Sequence, residues 1–204
     1  MTSLIPQLFA ALTLFAFVNS ITPGPNNTML MASGANFGFR ATLPHLYGVA
    51  IGFGVMVAAV GLGLGGLIIA FPRLHDVLAI AGGLYMIWLA WKMANAKGVA
   101  GGQAGGKPQT FWQAAAFQWV NPKAWAMAVG AITTYAPAEH YNLNVLLVAL
   151  VFLSVNAPSV AIWTGCGVAL RRFLDRPAVL KTFNISMAIL LLAALIPLAM
   201  ELAG

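Results

Sequence analysis

Thr22-Pro23-Gly24-Pro25-Asn26-Asn27 and Asn121-Pro122-Lys123 place acceptors and one donor where two apolar runs are interrupted. Each proline removes a backbone N–H and clashes with the preceding turn, so carbonyls there lose their helical partners. Inside a membrane water cannot satisfy those carbonyls, and such breaks persist where protein or a wet cavity surrounds them. Freed carbonyls near Pro23, Pro25 and Pro122, with the side-chain oxygens of Asn26, Asn27 and Asn121, accept hydrogen bonds from a cationic group. Lys123 donates to an anionic one. The chemistry on offer is recognition of a small polar molecule. We place a substrate-binding site on Pro23, Gly24, Pro25, Asn26, Asn27, Asn121, Pro122, Lys123 and Asn156. Ser159 and Thr164 lie on the same later run as Asn156, but hydroxyls in membrane helices more often bond their own backbone or join helices.

Lys123 has two readings. A lysine at the centre of a span costs about 2.5–3.5 kcal/mol on insertion scales, so it contacts substrate there, or its long stem carries the ammonium to an interface. The prolines also have two: a binding site, or kinks that serve packing alone.

The elements that hold these residues are membrane helices. Hydrophobic residues make up 61% of the 204-residue chain and charged residues 7%, against roughly a quarter charged in soluble domains. The net charge of +6 is scattered between apolar runs and forms no face for nucleic acid. At about 20 residues per span, the sequence divides into six. They cover Leu4–Ile21 continuing through Met29–Ala35, then Leu43–Phe71, Leu74–Ala94, Phe111–Tyr135, Leu143–Leu170 and Val179–Ala203. No Lys or Arg precedes Arg40, so the first run lacks the basic start of a signal peptide.

The fold class expected is an all-α polytopic membrane protein of six transmembrane helices. Residues 1–204 form a single transmembrane domain: a first repeat of about 1–95, a linker 96–110 and a second repeat of about 111–204. Each repeat opens with a proline-broken helix, with Ala16-Phe17 and Ala116-Phe117 shortly before the respective proline. Three spans per half insert the second half upside down, and paired interruptions in inverted repeats point to a transporter's binding site. Arg40, Lys92, Lys97, Lys107, Arg171, Arg172, Arg176 and Lys181 lie in loops on one side, and Arg73 on the other. Basic loops face the cytoplasm, which puts both termini outside. A cysteine at Gly102 in a Cys166→Ser background is therefore expected to resist impermeant thiol reagents in intact cells, and one at Asn142 to label. The reverse pattern would sink this topology.

Several segments together resemble the LysE/RhtB amino-acid exporters. They are Thr22-Pro23-Gly24-Pro25-Asn26-Asn27, Gly38-Phe39-Arg40, the run Gly82-Gly83-Leu84-Tyr85-Met86-Ile87-Trp88-Leu89-Ala90-Trp91-Lys92, Asn121-Pro122-Lys123-Ala124-Trp125, and Asn156-Ala157-Pro158-Ser159 with Trp163. The resemblance implies a bacterial inner-membrane exporter of amino acids or related metabolites, driven by the proton gradient and assembled as a homodimer. Its partners would be a small-molecule substrate and membrane lipid. A zwitterionic amino acid suits the acceptors and the donor described above. The alternative is a passive pore or a membrane scaffold. Some members carry Asp directly after Pro-Gly-Pro, where this chain has Asn26 and Asn27. Asp76, Glu139, Asp175 and Glu201 all lie in loops or at span ends, so no mid-span carboxylate serves as a proton relay. His45 is a candidate for coupling, or a satisfied structural histidine.

Other motifs carry less. Gly101 to Lys107 fits the start of a phosphate-binding loop, but Pro108 stands where Ser or Thr would hold magnesium. No nucleophile–base pair and no metal-ligand spacing occurs among His45, His75, His140 and Cys166. We expect no enzyme, no cofactor and no nucleic-acid partner. Gly48-x-x-x-Gly52 and Gly61-x-x-x-Gly65 are close-packing motifs, within the protomer or across a dimer.

Overall fold

Long apolar runs with few charges satisfy their backbone most simply as helices. The computed structural model describes residues 6–66, 72–96, 107–174, 176–196 and 199–200, and no strand occurs among them. The helices are α1 (Pro6–Ile21), α2 (Pro25–Phe37), α3 (Phe39–Ala59), α4 (Pro72–Ala94), α5 (Phe111–Gln118), α6 (Pro122–Tyr135), α7 (Tyr141–Leu170) and α8 (Pro177–Ala193). A π turn, Val60–Leu64, prolongs α3, and a 3₁₀ turn, Arg171–Phe173, closes α7. The glycine-rich part of the linker lies outside the described residues, as do the ends of the second and sixth expected spans.

Two helical stretches, Phe39–Leu64 and Tyr141–Phe173, are each long and apolar enough to cross a membrane. The pair α1–α2, bent by 54°, makes a third if taken as one span. The Ile80–Ala94 stretch and α8 are apolar but shorter. The second run starts at Phe39, ahead of the expected boundary at Leu43. Gly38, at φ 85°, turns the chain out of α2 in a conformation that side chains disfavour. Pro44 then sits inside α3, where it costs one helical hydrogen bond without ending the helix.

Polarity is arranged inside out. Asn27, Ser33, Asn36, Thr42, His45, Gln118, Asn121, Asn144, Asn156 and Asn184 are buried, while Leu14, Leu84, Leu150, Ile162 and Ile189 face outward. Outward apolar surface on this scale suits lipid, and inward amides join helices that the hydrophobic effect cannot press together there. Asn36 and Asn184 do so by exchanging hydrogen bonds of 2.7 and 3.1 Å.

Helix α7 is the hub, packed on α1, α2 and α3; α3 also packs on α5, and α4 on α8. Small residues permit these approaches. A Cβ on Gly34 would strike the Thr164 carbonyl, and one on Gly167 the Met31 carbonyl. Gly48 and Gly52 meet Phe111 and Ala115 of α5 in the same way, so that motif packs within the protomer. Because a backbone carbonyl cannot swing aside, Gly167→Val is expected to cost about 3 kcal/mol, at the upper end of overpacking. Gly165→Val is the control, since nothing lies within 4 Å of its Cβ position. Melting temperatures in detergent check the pair: the first variant should fall by several degrees and the second should match the parent.

Candidate functional site

Each break has a local cause. Helix α1 ends because Pro23 and Pro25 supply no N–H to continue it. Pro25 then opens α2 as its first residue, where the missing N–H is unneeded and φ is already helical. Helix α5 starts from a capping box between Thr110 and Gln113, and it ends in tight turns, with Val120 N donating to the Phe117 carbonyl at 3.1 Å. Pro122 opens α6, and the Asn121 side chain caps it by accepting from Lys123 N at 3.1 Å.

The carbonyls exposed at the first break all find donors. Asn27 Nδ2 donates to the Ser20 and Thr22 carbonyls, each at 2.8 Å. Trp163 Nε1, reaching over from α7, donates to the Ile21 carbonyl at 3.0 Å. The Thr22 hydroxyl donates to the Asn19 carbonyl at 3.1 Å. At the second break Trp125 Nε1 donates to the Trp119 carbonyl at 2.8 Å. In this conformation the carbonyls freed at the first break, and that of Trp119 at the second, are therefore engaged from within.

Lys123 joins the two breaks. Its Nζ donates to the Thr22 carbonyl at 3.0 Å, the Thr22 hydroxyl at 2.9 Å and the Pro23 carbonyl at 3.2 Å. The ammonium thus turns inward across the bundle. Gly24 makes room for it: a Cβ there would lie 2.8 Å from Lys123 Cδ and 3.1 Å from Nζ. Beside it, Asn26 and Gln118 exchange amide hydrogen bonds of 2.8 and 3.1 Å, and Gln118 also donates to the Ala114 carbonyl at 2.9 Å.

Gly24, Pro25, Asn26, Asn27, Asn121, Lys123 and Asn156 line one small cavity between the breaks, together with Asn19, Ser20, Phe53, Ala124 and Met127. Pro23 contributes its carbonyl to Lys123, and Pro122 remains at the head of α6. Lys123 is the charged residue of this lining, and the N-termini of α2 and α6 add partial positive charge where they meet it. The cavity measures about 30 Å³, room for a water or two and too little for an amino acid. Among the polar residues of this arrangement, Asn19, Ser20 and Gln118 were not anticipated from the sequence. Gln118 and Asn19 shared a usable signal, an amide inside an apolar run just before a break.

Polar residues outside the cavity serve other ends. Ser159 and Thr164 donate to the Val155 and Val160 carbonyls of their own helix at 2.8 and 3.0 Å. His45 is buried, and among the described residues neither of its nitrogens has a hydrogen-bond partner.

The chain is similar to known proteins over most of its length. The LysE type translocator family matches residues 17–201. A cysteine/O-acetylserine efflux protein of Escherichia coli O139:H28 (strain E24377A / ETEC) is 30% identical over 189 residues, covering 92% of this chain and 95% of its own length. Proteins of the same name from Escherichia coli (strain K12) and Shigella sonnei (strain Ss046) are each 30% identical over 188 residues, covering 91% of this chain and 94% of their own. No solved structure matches the chain.

Proposed function

Since the chain belongs to the LysE type translocator family, we propose that it exports small neutral amino acids across the bacterial inner membrane, binding them between the two broken helices. The observation that carries this reading is the bridge from Lys123 to the first break. An ammonium already rests on the Thr22 and Pro23 carbonyls, where the ammonium of a substrate would rest. On loading, the substrate's ammonium replaces that of Lys123, and Lys123 turns to the substrate carboxylate beside the N-termini of α2 and α6. The exchange keeps every buried charge hydrogen-bonded, first to carbonyls and then to its opposite charge, so its barrier stays low.

The substrate class follows from the lining. Amides and one lysine suit a zwitterion with a short polar side chain, and with no carboxylate among the lining residues a basic side chain would lack a partner. Cysteine and O-acetylserine, named for the relatives, have this character. A cavity of about 30 Å³ must enlarge to take them, which accords with alternating access.

In this reading α1–α2, α3 and α4 form one inverted repeat, and α5–α6, α7 and α8 the other. The packing supports it: α7 packs on both parts of the first broken span, α3 packs on both parts of the second, and α3 with α7 and α4 with α8 are among the larger of the other contacts. Six spans with both termini periplasmic complete the topology, and a homodimer is the assembly proposed. The deciding experiment uses vesicles containing the purified protein alone, loaded with labelled O-acetylserine. Efflux above empty vesicles, rising with an imposed pH gradient, is expected. Equal release of unrelated solutes would indicate a pore, and no release a scaffold.

A further inference from the structure

A second and larger cavity, about 110 Å³, lies at the end of the bundle that carries the basic loops. It sits between α2, α3, α4 and residues 107–109. Met29, Ala32, Ser33 and Asn36 all line it, and their spacing puts them on one face of α2. Cavities of this scale hold small organic molecules.

Its polar groups are unequally engaged. Asn36 is committed to Asn184, and Ser33 shares a hydrogen bond of 3.1 Å with Thr42. By contrast, both His45 nitrogens and Gln109 Oε1 are buried with no partner among the described residues. Each unmet buried group costs about 1–3 kcal/mol, and all three belong to residues lining this one cavity. Gln109 Nε2 has only the Met29 sulfur, at 3.9 Å. Lys92 and Lys107 are lining residues as well, and no Asp or Glu is among the lining residues. Met29, Leu89 and Met93 supply an apolar wall. Both lysines are exposed at its rim, the Lys92 ammonium resting 4.6 Å over the Trp88 ring; swung inward, they join open acceptors and a short apolar wall to make a site for a small amino acid held by its carboxylate.

Helix α2 connects this chamber to the cavity between the breaks. Asn27 lines one and Asn36 the other, about 13 Å apart at the helical rise. We propose that the chamber is a loading site on the cytoplasmic side, where Lys92 and Lys107 take the substrate carboxylate before the breaks open to receive it. The direction of travel rests on the exporter reading; the site itself rests on the cavity and its lining.

The test is charge-selective labelling of the full chain in a Cys166→Ser background, carrying Ala32→Cys or, as a second probe, Met93→Cys. Inside-out vesicles are treated with a sulfonate or a trimethylammonium thiosulfonate reagent, and each rate is divided by the rate on a free thiol. Focusing by the two lysines should favour the sulfonate about tenfold, and Lys92→Gln with Lys107→Gln should bring the ratio to about one. Millimolar O-acetylserine should slow the sulfonate reaction. In the otherwise native chain the same two lysine changes should raise the efflux KM about tenfold at constant kcat, the loss one charged contact makes. Equal normalised rates, no labelling, or an unchanged KM would overturn the loading site. Because labelling needs no transport, a charge-selective chamber in a protein that moves nothing would instead overturn the exporter reading.

Discussion

Lys123→Met is expected to abolish efflux while the protein still inserts and accumulates. The substitution keeps the stem and removes the charge that bridges to Thr22 and Pro23. Its structural cost is bounded, because the Thr22 carbonyl keeps the Asn27 amide at 2.8 Å. Only the Pro23 carbonyl loses its donor among those described, a penalty of about 1–3 kcal/mol against typical stabilities of about 5–15 kcal/mol. Transport loses far more, since no other cation lines the cavity to meet a carboxylate. Lys123→Arg keeps charge in a larger planar fork. With Gly24 already close against the stem, partial activity is expected. Efflux normalised to protein level measures both. An active Lys123→Met variant would leave recognition to Asn26, Asn27 and Asn121.

Replacing Pro23 and Pro25 together by alanine should collapse export for the opposite reason, by gaining helix. Proline inside a helix is about 3 kcal/mol less favourable than alanine, so the double variant allows α1 and α2 to run on as one rod. The regained N–H groups would claim the Asn19 and Ile21 carbonyls, now held by the Thr22 hydroxyl and Trp163. Straightening the 54° bend also withdraws the Thr22 and Pro23 carbonyls from Lys123. The expected result is a melting temperature equal to or above the parent's, with efflux near background. Normal efflux would reduce the break to a packing kink.

Much of this protein is determined by its linear sequence. The depletion of charge and the length of the apolar runs decide that it is helical and suited to lipid, because an unpaired backbone is intolerable there. Pro23, Pro25 and Pro122 decide where helices stop, since a missing N–H acts locally. The motifs around them, read in order, identify the family. Boundaries were less legible: Pro44 does not stop α3, because one lost hydrogen bond is recovered by packing on α5 and α7.

Tertiary structure decides what the breaks touch. Nothing in the spacing of Thr22 and Lys123 places one ammonium on the other's carbonyl, and a snorkelling lysine was equally compatible with the sequence. Nor does the sequence indicate that Asn27, Trp163 and Lys123 occupy the freed carbonyls, or that Gln118 clasps Asn26. Apart from those of Asn27, these contacts join residues about a hundred positions or more apart along the chain, and glycines help to admit them: Gly34 and Gly167 let α2 and α7 approach at backbone distance, and Gly24 makes room for Lys123. The imidazole of His45 shows the same separation. Its sequence neighbours suggest an interface, whereas the fold buries it beside a chamber lined by α2, α3 and α4 that only three dimensions create.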